Sequence, residues 1–123
     1  MSPHERQTLG SWGERMAAAY LRQKGLRILC TNYRTPVGEI DLVARNRRHL
    51  VFVEVKTRRG TGYGSPQEAV GSRKQRQIIR AAQWYINDRG ASGLQPRFDV
   101  VAVLRFGDGA RIEHIENAFG LPA

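Results

Sequence analysis

Gly38–Gly60 reads GEIDLVARNRRHLVFVEVKTRRG, two runs with the composition of β-strands, Glu39–Arg45 and Leu50–Thr57, joined across Asn46-Arg47-Arg48-His49. How they pair decides the fold. Strand side chains alternate between faces, so Glu39 and Asp41 share one face of the first run while Ile40 and Leu42 take the other. Glu54 and Lys56 share a face of the second run, with Val53 and Val55 opposite. In an antiparallel hairpin with a loop of two or four residues, opposed residue numbers sum to 95. Asp41 then faces Glu54, and Glu39 faces Lys56. A three-residue loop would reverse the parity and send Asp41 and Glu54 to opposite faces.

Glu39 with Lys56 is an ordinary cross-strand ion pair, worth ~0.2–1 kcal/mol, and a solvated charge ladder explains it. The same explanation fails for Asp41 with Glu54. Two facing carboxylates repel, and VFVEVK, with Phe52 on the face of Glu54, has the character of an interior strand where screening is poor. A cation between them resolves the conflict. Mg²⁺ fits, because it takes one or two carboxylates and keeps water or phosphate oxygens in its other positions; Mn²⁺ accepts the same oxygen donors. The backbone carbonyl of Val55, between Glu54 and Lys56, is the candidate third protein ligand. Lys56 beside such a metal can orient or help deprotonate an attacking water, or stabilise charge developing on a phosphate.

Working outward, Leu9, Trp12, Met16 and Tyr20 recur at helical spacing, which predicts a helix over Thr8–Lys24 stopped by Gly25. Leu26–Tyr33 has strand composition and ends at the turn signal Thr35-Pro36. After RRGTGYGS, Ser65 as N-cap, Pro66 at the first helical position and Glu68 closing a capping box mark a second helix. It extends to about Asn87, with Ile78, Ala82, Tyr85 and Ile86 on its buried side. Arg97–Phe106 is a further strand, joined through an Asp108-Gly109 turn to a last one over Arg111–Ile115. The order α-β-β-β-α-β-β implies an α/β fold: a mixed β-sheet flanked by helices.

The 123 residues suit one domain spanning 1–123. No apolar run approaches membrane-spanning length and MSPHERQTLG lacks a signal peptide's apolar stretch, so a cytoplasmic protein with no membrane partner is expected. The lone Cys30 excludes an internal disulfide framework, and with His4, His49 and His114 it offers no zinc-ligand spacing. Any metal must be held by oxygen. Lys and Arg number 20 against 11 acidic residues, a formal charge of +9. That surplus favours an anionic partner, nucleic acid being the commonest for a basic domain.

Asp41, followed by Glu54-Val55-Lys56, resembles the D…ExK signature of the PD-(D/E)XK, restriction-endonuclease-like superfamily. The wider pattern of an N-terminal helix with Glu14, GEIDL, FVEVKTR, a capped helix with Lys74 and RFDVV resembles the YraN family of small bacterial proteins, which are predicted nucleases. It is also similar in layout to archaeal Holliday-junction resolvases. The resemblance covers nearly the whole chain and implies a restriction-endonuclease-like sheet, Mg²⁺ at Asp41 and Glu54, Lys56 as the catalytic lysine, and a DNA substrate. Ile40 stands where the superfamily name has Pro.

The resemblance also implies that Glu14 joins the metal site from the first helix; against this stands a plain solvent-facing glutamate beside Arg15. Glu39 is either an outer ligand or, the preferred role, a partner that orients Lys56. Lys74 interrupts the stripe Val70, Lys74, Ile78, and either reaches the site or a phosphate, or snorkels to solvent. Gln67 is placed to help hold substrate or water, or is simply a surface residue. Asp99 has Arg97 on its own strand face as a structural partner and is not assigned a catalytic role. Arg58 and Arg59 leave the active strand towards Tyr63; with Arg45, Arg47, Arg48, Arg73, Arg76 and Arg80 they are candidates for a phosphate-binding surface. The function expected is Mg²⁺-dependent hydrolysis of phosphodiester bonds in DNA, structured or branched DNA included. The rivals are a nucleic-acid-binding protein without turnover of its own, and a partner or homodimer surface built on the hairpin.

Overall fold

The computed structural model describes residues 8–60 and 70–120. The elements are α1 (Leu9–Gln23), β1 (Arg27–Thr35), β2 (Gly38–Arg45), β3 (His49–Arg59), α2 (Ser72–Arg89), β4 (Gln95–Phe106) and β5 (Gly109–Phe119), in the expected order. One five-stranded sheet runs β1-β2-β3-β4-β5. Its β3–β4 pair is parallel and the other three pairs are antiparallel. A parallel pair cannot be closed by a tight turn, which is why α2 lies between β3 and β4 in the chain.

Central β3 is covered on both faces, the usual reason for an unbroken apolar run; Leu50, Val51, Phe52 and Val53 are all buried. On one face Phe52, Val43, Leu50, Phe98 and Val100 meet Ile78, Ala81, Ala82 and Tyr85 of α2. On the other, Val51, Val53, Leu42, Ala44, Val101 and Val103 meet Ala17, Ala18 and Leu21 of α1. The β2–β3 loop is even. Asn46 and His49 close a two-residue turn, with the Asn46 side-chain oxygen accepting the N–H groups of Arg48 and His49 at 2.9 and 2.7 Å. Leu42 accordingly opposes Val53 and Arg45 opposes Leu50, the register in which numbers sum to 95.

The N-cap of α1 is Thr8, whose hydroxyl accepts the Ser11 N–H at 3.0 Å. The face it buries is Gly13, Ala17, Ala18 and Leu21, so the predicted stripe of Trp12, Met16 and Tyr20 flanks the contact instead of forming it. Close approach decides this. A Cβ on Gly13 would collide with Oγ1 of Thr57 and fall 2.8 Å from its Cβ. Gly13→Ala is therefore expected to destabilise the protein by ~1–3 kcal/mol through overpacking, although alanine is the better helix former. Gly10→Ala, where the nearest atom is 4.0 Å away, should instead stabilise by up to ~1 kcal/mol. Urea midpoints moving in opposite directions check the pair; equal shifts would contradict the close contact.

Ser65, Pro66 and Glu68 lie outside the described residues; the described helix opens at Ser72 with Gly71 as an N-cap that has no side-chain bond. Ile78, Ala82 and Tyr85 are buried as expected, joined by Ala81, with Ile86 half-buried. Phe106 pairs with Gly109, so the last hairpin turns at Gly107-Asp108, one residue earlier than predicted. Gly107 supplies the positive φ of 55° that such turns favour. Among the described residues no helix is long and apolar enough to cross a membrane.

Candidate active site

β2 and β3 pair from Arg45↔Leu50 to Leu42↔Val53 and then separate. At the fork stands Asp41, whose Oδ2 accepts the N–H of Val55 at 2.8 Å, a side chain taking a donor that a strand ladder would otherwise use. Face alternation slips here. Ile40 joins Val43 in the α2-side core, whereas Leu42 joins Ala44 in the α1-side core. The expectation that Ile40 and Leu42 share a face is thus corrected. Across the β1–β2 pair, between Thr31↔Leu42 and Tyr33↔Ile40, lies Asn32 with φ 51°, a conformation asparagine tolerates better than most residues. The two irregular residues sit side by side at the point where β2 leaves β3.

Glu54 is buried, 4% exposed. Its Oε2 lies 3.7 Å from Nζ of Lys56 and 3.6 Å from Nζ of Lys74, which descends from α2. Burial, then a hydrogen bond to Asp41 and the Asp41 charge, push the Glu54 carboxyl up to about 8; Lys74 and Lys56 pull it back down. Near neutral pH the Glu54 carboxyl keeps a proton, which its hydrogen bond to Asp41 uses. The facing of Asp41 and Glu54 therefore holds, but the second half of the predicted ladder does not. Because β2 has turned away, Glu39 pairs with Arg34 of β1 at 3.8 Å, and the Lys56 ion pair is with Glu54. Of the two alternatives for Lys74, reaching the site is the one observed.

Glu14 approaches from the α1 side, its Oε2 accepting from Asn32 Nδ2 at 3.2 Å. Burial raises its pKa and the Asn32 bond lowers it, while the charges of Asp41 and Glu39 raise it further. It feels the site electrostatically and lines a cavity of about 400 Å³ with Ser11, Thr31, Asn32 and Leu42, a cavity that Asp41 and Glu54 do not line. Among the described residues no three His, Cys, Asp or Glu side chains are grouped closely enough to hold a metal. What the fork does offer is oxygen only. Two carboxylates meet there, and the N–H and C=O of one strand residue point to the same side, so the Val55 carbonyl faces the fork with its N–H. That donor set fits a hard divalent cation.

Arg58 and Arg59 extend β3 beyond the fork. Arg47 and Arg48 sit at the other end of the same strand; at ~3.3 Å per residue Arg48 is roughly 20 Å from Glu54, so they do not flank the acidic pair. Arg73, Arg76 and Arg80 are exposed on α2. Gln67 and Tyr63 lie outside the described residues. Asp99 is held by Arg97, as expected, and also by His114 and the Asn117 N–H, partners that sequence reasoning missed. Asn32 was missed too, since nothing in one sequence marks an asparagine that bends a strand.

The family described as "Uncharacterised protein family UPF0102", the YraN family, matches residues 13–103. The chain is 62% identical to a UPF0102 protein of Syntrophotalea carbinolica over 94% of each chain. It is 50% identical to one of Geobacter sulfurreducens over 96% of this chain and 93% of the relative. It is also 43% identical to one of Caldanaerobacter subterraneus subsp. tengcongensis over 97% of this chain and all of the relative, 100%.

Proposed function

Because the chain belongs to the UPF0102 family, whose description assigns no activity, the site itself must support a function: we propose a divalent-metal-dependent nuclease that hydrolyses phosphodiester bonds in DNA, structured DNA included. One observation carries this. A buried carboxylate, Glu54, lies against a second, Asp41, with two lysine ammonium groups within 4 Å, at a strand fork of a chain with formal charge +9. Mg²⁺ or Mn²⁺, when bound by Asp41, Glu54 and the Val55 carbonyl, supplies charge neutralisation at a phosphate and a water of lowered pKa. Glu54 tethers Lys56 at the fork, where its ammonium hydrogen-bonds the attacking water and balances charge on the phosphate oxygens. Lys74 offsets the negative charge of the carboxylates from the α2 side. Asn32 and Glu14 brace the opposite side of the fork.

The second reading is a nucleic-acid-binding protein on the same scaffold with no turnover of its own. The lack of a third grouped metal-ligating side chain among the described residues favours keeping it. Purified full chain is tested on duplex, single-stranded and four-way DNA and on RNA, with Mg²⁺, Mn²⁺ or chelator. Cleavage of DNA that requires the metal is expected. Asp41→Ala should abolish it together with calorimetric metal binding, and Lys56→Ala should slow it by about 10²–10³-fold, the usual worth of one electrostatic group. Undiminished cleavage by the double variant would overturn the mechanism, and salt-dependent binding without cleavage on any substrate would establish the second reading.

A further inference from the structure

Three residues beyond Lys56, β3 ends at Arg59, which in the parallel register lies opposite Arg105 of β4. Alternation along these strands puts both side chains on the α1 face, with Thr57, Val101 and Val103. Like charges directly opposite destabilise a sheet. Among the described residues neither arginine has a carboxylate within ion-pair distance. The Arg105 guanidinium lies over the Trp12 ring, 5.1 Å from its centroid, and the tight Gly13–Thr57 contact fixes Trp12 beside β3. Two cavities share Arg105. One, about 570 Å³, is lined by Trp12, Arg15, Met16 and Arg105; the other, about 370 Å³, by Arg59, Arg105 and Gly107. Among the described residues no carboxylate lines either.

An anion between Arg59 and Arg105 relieves their repulsion, and a flat ring extends the Arg105–Trp12 stack. A ligand with both properties, repeated along a chain, is an unpaired nucleic-acid strand, whose bases are free to stack while its phosphates meet arginine. In a continuous duplex the bases are already stacked inside and the ring platform has nothing to take. Lys56 and Arg59 are three strand residues apart, roughly 10 Å along β3, with their side chains on opposite faces of the sheet. A strand leaving the Asp41–Glu54 fork would therefore have to pass round the end of β3 to enter this cleft. We propose that the cleft binds a single-stranded segment, with phosphates on Arg59, Arg105 and Arg15 and a base stacked on the Trp12–Arg105 pair. Resting on the nuclease reading for its second half, the proposal makes the substrate one with an unpaired strand beside the cleavage point, as in a flap, overhang or single strand.

Trp84 is the other tryptophan in the chain and is 47% exposed, so Trp84→Phe makes Trp12 the sole indole reporter. This variant of the full chain is titrated, without divalent metal, with a short oligothymidylate and with a blunt duplex of equal length. The single strand is expected to quench Trp12 fluorescence and the duplex to leave it unchanged. Because the Trp12 variants lack the indole reporter, variant binding is read by the anisotropy of a labelled oligothymidylate. Arg105→Ala and Trp12→Ala should each weaken single-strand binding about tenfold or more, the loss of one stacked base, while Trp12→Phe retains most of it. Circular dichroism monitors folding, and the surface variants Arg105→Ala and Arg15→Ala carry the test if Trp12→Ala does not fold. Absence of quenching, or single-strand affinity unchanged in Arg105→Ala, overturns the cleft. Quenching without cleavage of any substrate keeps the cleft and removes the nuclease reading; duplex cleavage without quenching does the reverse.

Discussion

Asp99→Ala is expected to destabilise the protein by ~3–5 kcal/mol, the cost of breaking a buried charge pair from one side. Asp99 is fully buried, 0% exposed, yet burial, which raises a carboxyl pKa, loses to its donors, and the pKa is lowered. Arg97 gives two bonds of 2.9 Å through Nε and Nη2, His114 Nε2 lies at 2.8 Å, and the Asn117 N–H donates at 3.0 Å. An ionised carboxylate only accepts, so Nε2 of His114 carries a proton. Truncation would leave a nearly buried guanidinium without its anion and an amide without its acceptor. It would also free the β5 irregularity, where pairing jumps from Phe98↔Phe119 to Val100↔Ile115 and Asn117 has φ 51°. Because the folded pKa is depressed, this stability is present above the unfolded carboxylate pKa and is lost as pH falls through the folded one. Urea denaturation at neutral pH checks the magnitude; a loss below ~1 kcal/mol, the size of an exposed pair, would show that the cluster is not coupled as described.

Asp99 also shows what a sequence does and does not disclose. Arg97 was legible as its partner because period-two alternation puts both on one strand face. His114 and Asn117 were not, since they arrive through the pairing of β5, whose irregular register no local pattern encodes. The hairpin register was legible for the same reason as Arg97, and Asn46 locks an even loop by turn chemistry confined to four residues. Ile40 broke the alternation because the β2 kink depends on Asn32 in another strand. In α1 the hydrophobic stripe pointed to Trp12, Met16 and Tyr20, but steric fit between Gly13 and Thr57 chose the face of small residues. Lys74 stood out as a charge interrupting an apolar stripe. Its target, Glu54, became definite only once α2 was placed over β3.

In the metal-free protein, stability is expected to fall as pH rises from about 4.5 to about 8, and a divalent cation should restore it. The Glu54 carboxyl is raised from 4.5 to about 8 by burial first and by Asp41 second, so the folded state holds a proton that the unfolded chain has already released. The folded state binds more protons across this window, and stability therefore declines with pH. At ~1.4 kcal/mol per pKa unit the Glu54 shift makes the decline several kcal/mol. The raised Glu14 acts in the same direction. Glu54→Gln keeps the volume and removes the charge, so it should be the more stable protein at pH 8 without metal and should lose most of the pH dependence. If Asp41 and Glu54 hold Mg²⁺ or Mn²⁺, the wild type at pH 8 gains thermal stability on adding either ion, by mass action on the folded state, and Glu54→Gln gains far less. Thermal melts at pH 5 and pH 8, with chelator and with Mn²⁺, read all four combinations. A wild-type midpoint that is flat with pH and indifferent to Mn²⁺ would mean that the two lysines already neutralise the fork, and that its acidic pair is structural.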